Sequence, residues 1–584
     1  MVPLKQKFRL ISPYPAVTLS RISPNAHRCI VMLKLLICLA VVTAALADID
    51  VRLRRRSTIF LPYTYENGPQ YSLSEVAVEQ LAYDSDNKIL YTVGDTVVHA
   101  IDVSNPSHMI IVAYLEYPGM EFTDVEFCGG HIFTAMDNRT DRTNGKMIVF
   151  SGYNPVTKRI REVLQVPVGA VPDMVKPTKD CSKVIVAVEG EAYEYPPNQI
   201  TDPPGLVVIV NFPSGVGSNM FVSTLNFERF NDRVPALEAS GVRHVYRENN
   251  NPFSNDVEPE YIALNADDTK AYIMLQENNA VATVDLLTQT ISEVYGLGYK
   301  NWSYLPLDTS DRDDGAHMNA YTIYGMYQPD SFVHFQFKGG NYLVMANEGD
   351  AKVYDYGSYQ WSEEERGSRI PPQDLYHIDF TTEGQLSDNS KLGRLKYGVS
   401  PSEKDGQGFL RALFTYGGRG WSIRRAEDMT LIYDSGNDIA IRTLQQQYDL
   451  FNCEVDDEHD QPYNSFDMRS DNKGVETEDV TVGEVDGYTL FFVANERPGT
   501  IFTYSVKDDL SHPKFQHIYT GIPETRGRTW KQMYDDWDLT EIDCEDNMFV
   551  PASKSPTGSP ILFVGGSVSG TVSILDVEIT PNSH

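Results

Sequence analysis

Residues 256–286, DVEPEYIALNADDTKAYIMLQENNAVATVDL, contain a unit that the rest of the chain repeats. Two carboxylates flank a proline (Glu258, Pro259, Glu260), and a short apolar run, residues 261–264, follows them. A polar turn leads to a second apolar run, 271–275, which ends at Gln276-Glu277-Asn278-Asn279; a third, 281–284, closes on Asp285. Short apolar runs bounded by turn residues read as strands. Three in succession make an antiparallel meander.

The same grammar recurs at residues 78–102, 122–150, 172–211, 329–379, 476–506 and 538–577. Repeats of about 40 to 50 residues built from short strands are the signature of a β-propeller. The count is seven, with an eighth, degenerate copy at residues 414–436 (FTYGG, WSIRR, LIYDSG) as the alternative. A fourth, outer strand fits after most units, for example at 109–116, 159–166, 220–227, 290–297 and 514–520, so the expected fold is all-β with four-stranded blades. The last unit lacks an outer strand, and residues 57–65 (STIFLPYTY) are expected to supply it and close the ring.

Outside the repeats, residues 1–47 read as a signal peptide with an upstream extension, Met32 being an alternative start: Lys34, an apolar core, then Ala45-Leu46-Ala47. Residues 48–73 form an N-terminal segment that includes the closing strand, 74–579 the propeller, and 580–584 a tail. The run Arg52-Leu53-Arg54-Arg55-Arg56 is either a processing site or a solvated basic cluster. No transmembrane helix is expected in the mature chain, and the end VEITPNSH lacks the apolar tail that a glycosyl-phosphatidylinositol anchor requires.

The cysteines agree with export. Cys128, Cys181, Cys453 and Cys544 follow the leader, an even number that allows three pairings. Cys128 and Cys181 occupy equivalent turns of adjacent units, which suggests a bridge between neighbouring blades. Sequons at Asn138 and Asn301, in expected loops, are candidate glycosylation sites.

The chain has 49 basic and 81 acidic residues, net -32. Residues 1–47 hold six of the basic residues and no acidic one, so removing them takes the net charge to about -38. That field disfavours nucleic acid and anionic membranes as partners and favours cations. In a propeller, the loop entering the innermost strand and the loop joining the second and third strands open on one face. The repeat places acids at both: Asp173, Glu258, Glu260, Asp330, Glu476, Glu478, Asp538 and Glu541 at the first, Glu189, Glu191, Glu277, Glu348, Asp350 and Glu496 at the second. Converging carboxylates repel unless a cation sits among them, and hard divalent ions take such oxygen ligands. The expected Ca²⁺ ligands are Glu189, Glu191, Glu258, Glu260, Glu277, Asp330, Glu348, Asp350 and Glu496. The competing expectation is a closed ion-pair ring without metal, with Arg419 and Arg497 as counter-charges. Long insertions at 193–204, 228–255, 300–325, 353–372 and 523–537 fall on the same face.

These residues carry a resemblance. VPDMVKPTKDCSKVIVAVEGE, DVEPEYIAL with LQENNAVATVDL, YGMYQPDSF with ANEGDAKVYDYG, YGGRGWSI with YDSGND, DMRSDNKGVETEDV with VANERPGTIFTY, and SPTGSPILFV with SVSGTVSI resemble, in that order, the choice-of-anchor I family. Within it the chain is most similar to the mesenchyme-specific cell-surface glycoproteins of mineralising invertebrates. The resemblance implies a secreted extracellular-matrix glycoprotein associated with calcium carbonate shell or skeleton, with calcium ions, mineral and matrix components as partners. It brings no catalytic residues. The chain departs from the family at Val475-Glu476-Thr477-Glu478-Asp479, at Leu539-Thr540-Glu541-Ile542 and at Gly565-Gly566-Ser567.

The alternative function is a secreted metal-dependent hydrolase, phosphoesterase-like, in which the same carboxylates hold a metal that activates water. The sequence shows no histidine ligand motif, nucleophile elbow or phosphate-cradling glycine loop, and His99, His131, His334 and His377 stand singly on expected strands. The non-catalytic reading is favoured.

Overall fold

The computed structural model describes residues 49–138, 142–195, 199–455, 459–524 and 526–581. The expected leader, and Arg139 and Thr140 of the first sequon, lie outside the described residues. Two compact units are distinguished. One, residues 1–50 with 579–584, is described only at the ends of two strands; the other, residues 51–578, holds the sheets.

Among the described residues, the second unit holds seven four-stranded antiparallel sheets, with smaller two- and three-stranded sheets in its insertions. Their innermost strands, in chain order, are Leu81–Asp84, Glu121–Cys128, Pro172–Pro177, Pro259–Leu264, Phe332–Phe337, Thr477–Val485 and Asp546–Val550. Each touches the next, and the seventh touches the first, so the inner strands form a closed cycle around a channel. This is propeller architecture.

Both faces of each sheet are covered by neighbours, which explains why the middle strands are continuous apolar runs and do not alternate. In the second strand of the third sheet, Lys183–Val188, Val184, Val186 and Val188 pack toward the second sheet with Phe133 and Val149. Ile185 and Ala187 of the same strand pack toward the fourth sheet with Ile273 and Ala282.

Several expectations are corrected. Residues 414–436 are not a sheet of their own: Gly420–Arg425 and Leu431–Asp434 complete the fifth sheet, while Phe414–Thr415 pairs elsewhere. The run 375–379, read as a third strand, lies instead in an insertion between Asn347 and Gly420. That insertion packs Ile370, Leu386, Tyr397 and Leu410 into one core with Trp302 and Ile323 of the preceding 300–325 insertion. It is tied down by Arg243, buried between Glu363 and Glu403. The closing strand is Ile49–Phe60, not residues 57–65, and lies outside Thr571–Pro581 in the seventh sheet. It starts earlier because Val51 and Leu53 alternate inward while Arg52 and Arg54 face out, so the basic run is strand. The seventh inner strand is Asp546–Val550, eight residues beyond the start of the expected unit.

Cys128 and Cys181 form the expected disulfide across the second and third sheets, Cα atoms 5.9 Å apart. Cys453 and Cys544 are buried free thiols. Among the described residues, no helix is long and apolar enough to cross a membrane.

Candidate functional site

The entrance of the inner strand is built on a recurring backbone irregularity. In the second, third, fourth and sixth sheets the register with the neighbouring strand shifts between Phe122 and Asp124, Pro172 and Val175, Pro259 and Ile262, and Thr477 and Val480. Such bulges re-aim side chains at the rim of a sheet. The equivalent position in chain order is Glu79, Thr123, Asp173, Glu260, Asp330, Glu478 and Glu545. Six of seven sheets thus present a carboxylate there.

The following residue does different work. Asp124 Oδ2 accepts a hydrogen bond from the Val175 backbone N–H (2.7 Å), Ser331 Oγ from Val480 (3.1 Å), Asp479 Oδ2 from Asn547 (2.8 Å) and Asp546 Oδ2 from Leu81 (2.9 Å). Each bond crosses to the inner strand of the next sheet. It satisfies a donor at the point where the bulge disturbs the ladder.

Behind the ring lies a second group of acids with counter-charges of its own. Glu258 Oε2 is 2.8 Å from Lys352 Nζ, and Glu348 is paired with Lys473. Glu476 meets Arg469, Lys473 (3.4 Å) and Arg497 (3.9 Å), and Glu496 meets Arg497 at 2.5 Å. Glu191 takes Arg142 and the Tyr356 hydroxyl (3.0 Å). Burial alone would raise Glu476, but its three cations bring its carboxyl down to about 2. No cation is paired with any of the six ring carboxylates among the ion pairs of the described residues. Burial first, then mutual repulsion, pushes Glu79, Glu260, Asp330, Glu478 and Glu545 well above the usual carboxylate range, and burial raises Asp173 to about 7.

The nine expected ligands all sit at this end of the sheets. Glu348, Glu478 and Glu496 come together most closely: one oxygen from each lies within 4.8 Å of the others, the geometry three ligands need around a single ion. Glu348 and Glu496 were expected; Glu478 was expected only as a mouth acid. Burial raises Glu348 to about 7 against the pull of Lys473, and Glu496 rises despite Arg497. Glu348 is held by a close approach of two glycines. A Cβ on Gly349 (φ +94°) would sit 2.1 Å from Gly417 N, and one on Gly417 (φ +74°) 2.0 Å from the Glu348 carbonyl. Asp350, its side chain half exposed, stays at the rim near Lys473 (3.4 Å). Glu189, Glu258, Glu260 and Glu277 gather on the third and fourth sheets. Asp330 adjoins Glu478.

Four readings of the site need revision. Arg419 is no counter-charge to the acids: its guanidinium donates to the carbonyls of Asp308, Ser470 and Asn472. Arg497 is one, but Lys352 and Lys473, which the sequence reading did not single out, carry more of the burden. Asp538 and Glu541 are not at the strand entrance, because the strand starts later; Asp538 pairs with Arg528, and Glu541 accepts from Tyr519 (3.0 Å). Glu79 and Glu545, which the sequence reading passed over, take ring positions, and their signal was a carboxylate one or two residues ahead of the inner-strand run. Asn301 ends a short strand, Tyr299–Asn301, and does not lie in a loop; its Oδ1 accepts from the Ser303 N–H at 2.9 Å. Of the four histidines, His99 is fully buried and His377 lies off the strands, 2.8 Å from Asp405.

The fold and site define an all-β propeller with an acidic channel mouth. The choice-of-anchor I domain matches residues 79–509, and the chain belongs to that family. Gigasin-3a of Magallana gigas is 36% identical over 195 residues, 33% of this chain and 64% of that protein. The mesenchyme-specific cell surface glycoprotein of Strongylocentrotus purpuratus is 29% identical over 358 residues, 56% of this chain and 45% of that one. The chain therefore spans under two thirds of the length of either relative. Among solved structures, the β-propeller domain of Myceliophteria thermophila Cps50 (Swd1) overlays with a TM-score of 0.40 at 9% identity, covering 90% of this chain and all of the other.

Proposed function

We propose that the protein is a secreted, acidic extracellular-matrix glycoprotein whose seven sheets are the blades of one propeller, and that it binds Ca²⁺ at the channel mouth in the course of calcium carbonate deposition. The observation that carries the calcium reading is the convergence of Glu348, Glu478 and Glu496 within 4.8 Å, beside ring carboxylates that have no paired cation among the described residues. Three carboxylate oxygens so close at a largely buried site repel one another, and a hard divalent ion relieves that repulsion. The extracellular reading is supported by the name of the Strongylocentrotus purpuratus relative, a cell surface glycoprotein, and by the expected leader. The mineral reading is supported by the net acidity and the family resemblance.

Calorimetric titration of the purified chain with Ca²⁺ tests the site. Glu478→Gln, which breaks no ion pair among the described residues, is expected to weaken binding at least tenfold; an unchanged titration would sink the reading. The rate and form of calcium carbonate precipitated with wild-type and Glu478→Gln protein tests the mineral role. A metal-dependent phosphoesterase activity that vanished in the same variant would favour the hydrolase instead.

A further inference from the structure

We propose a binding site for an uncharged linear polysaccharide along a row of aromatic rings, Tyr114, Tyr65, Tyr71 and Trp537, away from the acids of the channel mouth. Tyr114 belongs to Ile110–Glu116, the outermost strand of the first sheet. Its ring lies flat on that of Tyr65, centroids 3.5 Å apart and planes within 3° of parallel. Together with Tyr71 they line one groove of about 620 Å³, which Ile111, Leu115, Lys158 and Arg159 also line. Beyond Tyr71 the row continues to Trp537, whose ring meets Tyr71 at 5.2 Å and Phe60 at 4.5 Å, both edge to face. Tyr114 is 47% exposed, Tyr71 40% and Trp537 54%. Exposed apolar surface that is continuous over several side chains marks an interaction site.

The backbone holds these rings out at a cost. Trp537 follows the helix Trp530–Asp535 and its cap, Asp536, with φ +58°. Its N–H donates to the Tyr534 carbonyl (2.8 Å), and that of Asp538 to the Met533 carbonyl (3.0 Å). This is the helix end at which glycine is the ordinary residue, since a bulky side chain is strained in the left-handed region. Arg528 pairs with Asp536 and Asp538 and so clamps the turn on both sides of the indole. The loop carrying Tyr65 is pinned as well: Glu116 Oε1 accepts from the Tyr65 N–H at 3.0 Å, and Thr64 pairs with Gln70. A row held rigid before the ligand arrives loses little freedom on binding.

The chemistry of the row selects the ligand. Tyrosine and tryptophan offer an apolar face and a polar edge, which suits a partner that is itself apolar on one face and hydroxylated at its rim. Pyranose rings have that character. The Tyr65 hydroxyl is buried without a hydrogen-bond partner among the described residues, so a ligand hydroxyl at the groove would supply one. Stacked rings would also take nucleobases, but a chain of net charge -32 repels polyanions, whether nucleic acid or sulfated sugar. An uncharged sugar polymer meets neither objection.

Retention of the full chain on insoluble cellulose and on chitin, in buffer containing EDTA to keep cation binding out of the measurement, tests the site. The wild type is expected to bind at least one of the two polymers. Trp537→Gly, which relieves the strained backbone, and Tyr114→Ala are each expected to weaken binding at least tenfold, while Tyr304→Ala, an exposed ring outside the row, leaves it unchanged. Far-UV circular dichroism checks that each variant is folded; should Trp537→Gly not fold, Tyr114→Ala decides. A wild type held by neither polymer overturns the proposal, as does equal retention of the wild type and both row variants, or an equal loss in Tyr304→Ala. A wild type that sediments as a dimer and becomes a monomer in Trp537→Gly, with no retention on either polymer, assigns the rings to a second copy of the chain and overturns it too.

Discussion

Two neighbouring groups of acids in this molecule solve the same electrostatic problem in opposite ways. Glu476 is buried among Arg469, Lys473 and Arg497 and is held ionised, its carboxyl down near 2. Glu478, two residues on, is buried without a paired cation and is driven strongly upward. The two share a strand entrance and differ only in what reaches them. Acidity at a propeller mouth is thus not one property: the outer acids are neutralised by the chain itself, whereas the ring is left to protons or to an ion from outside.

The sharpest way to break this contrast is to remove a built-in cation. Lys473→Met strands Glu348, leaves Glu476 with two of its three cations, and is expected to cost about 3–5 kcal/mol, the usual penalty for deleting one partner of a buried pair. Chemical denaturation in chelator measures it. The converse change should stabilise. Asp173 titrates near 7 in the folded chain and near 3.8 unfolded, so the folded form holds its proton through that interval. Its contribution is greatest below about pH 4 and is lost as pH rises through 7. In metal-free buffer at pH 8, Asp173→Asn is expected to add about 4 kcal/mol, with almost no gain at pH 4. Calcium should mimic that gain in the wild type. At one hundred times the dissociation constant it stabilises by about 2.7 kcal/mol per site, and less in Glu478→Gln. At the small end, Arg54 and Glu578 are paired on the outside of the seventh sheet with side chains 75% and 47% exposed. Arg54→Ala should shift the denaturation midpoint by no more than a few tenths of a kcal/mol.

The sequence made the strands legible wherever three apolar runs stand close together, as in the fourth sheet, because both faces of a blade are buried and the runs stay continuous. It misled in the fifth sheet, where more than seventy residues separate the second strand from Gly420. Local grammar has no means of joining strands across such a gap, so the displaced pair looked like an eighth unit. In the seventh sheet, the acidic, apolar-studded stretch before Asp546 imitated a strand entrance. The ring acids were readable beside an obvious strand start, as at Glu260. Lys352 and Lys473 were not, since both sit in loops, Lys352 far in sequence from Glu258 and Lys473 far from Glu348. A lone lysine carries no periodic signal.

The closing strand has a consequence for how the molecule is made. The sixth sheet ends at Thr520, but the seventh requires Asp546–Val550 and Thr571–Pro581, and its outermost member, Ile49–Phe60, emerges from the ribosome first. That early strand must wait for almost the whole chain before its partner exists. Until those last strands arrive the sheet cycle cannot close, so the six carboxylates cannot yet complete their ring. The order of translation therefore makes closure of the ring, with its electrostatic cost, depend on the last strands to be made.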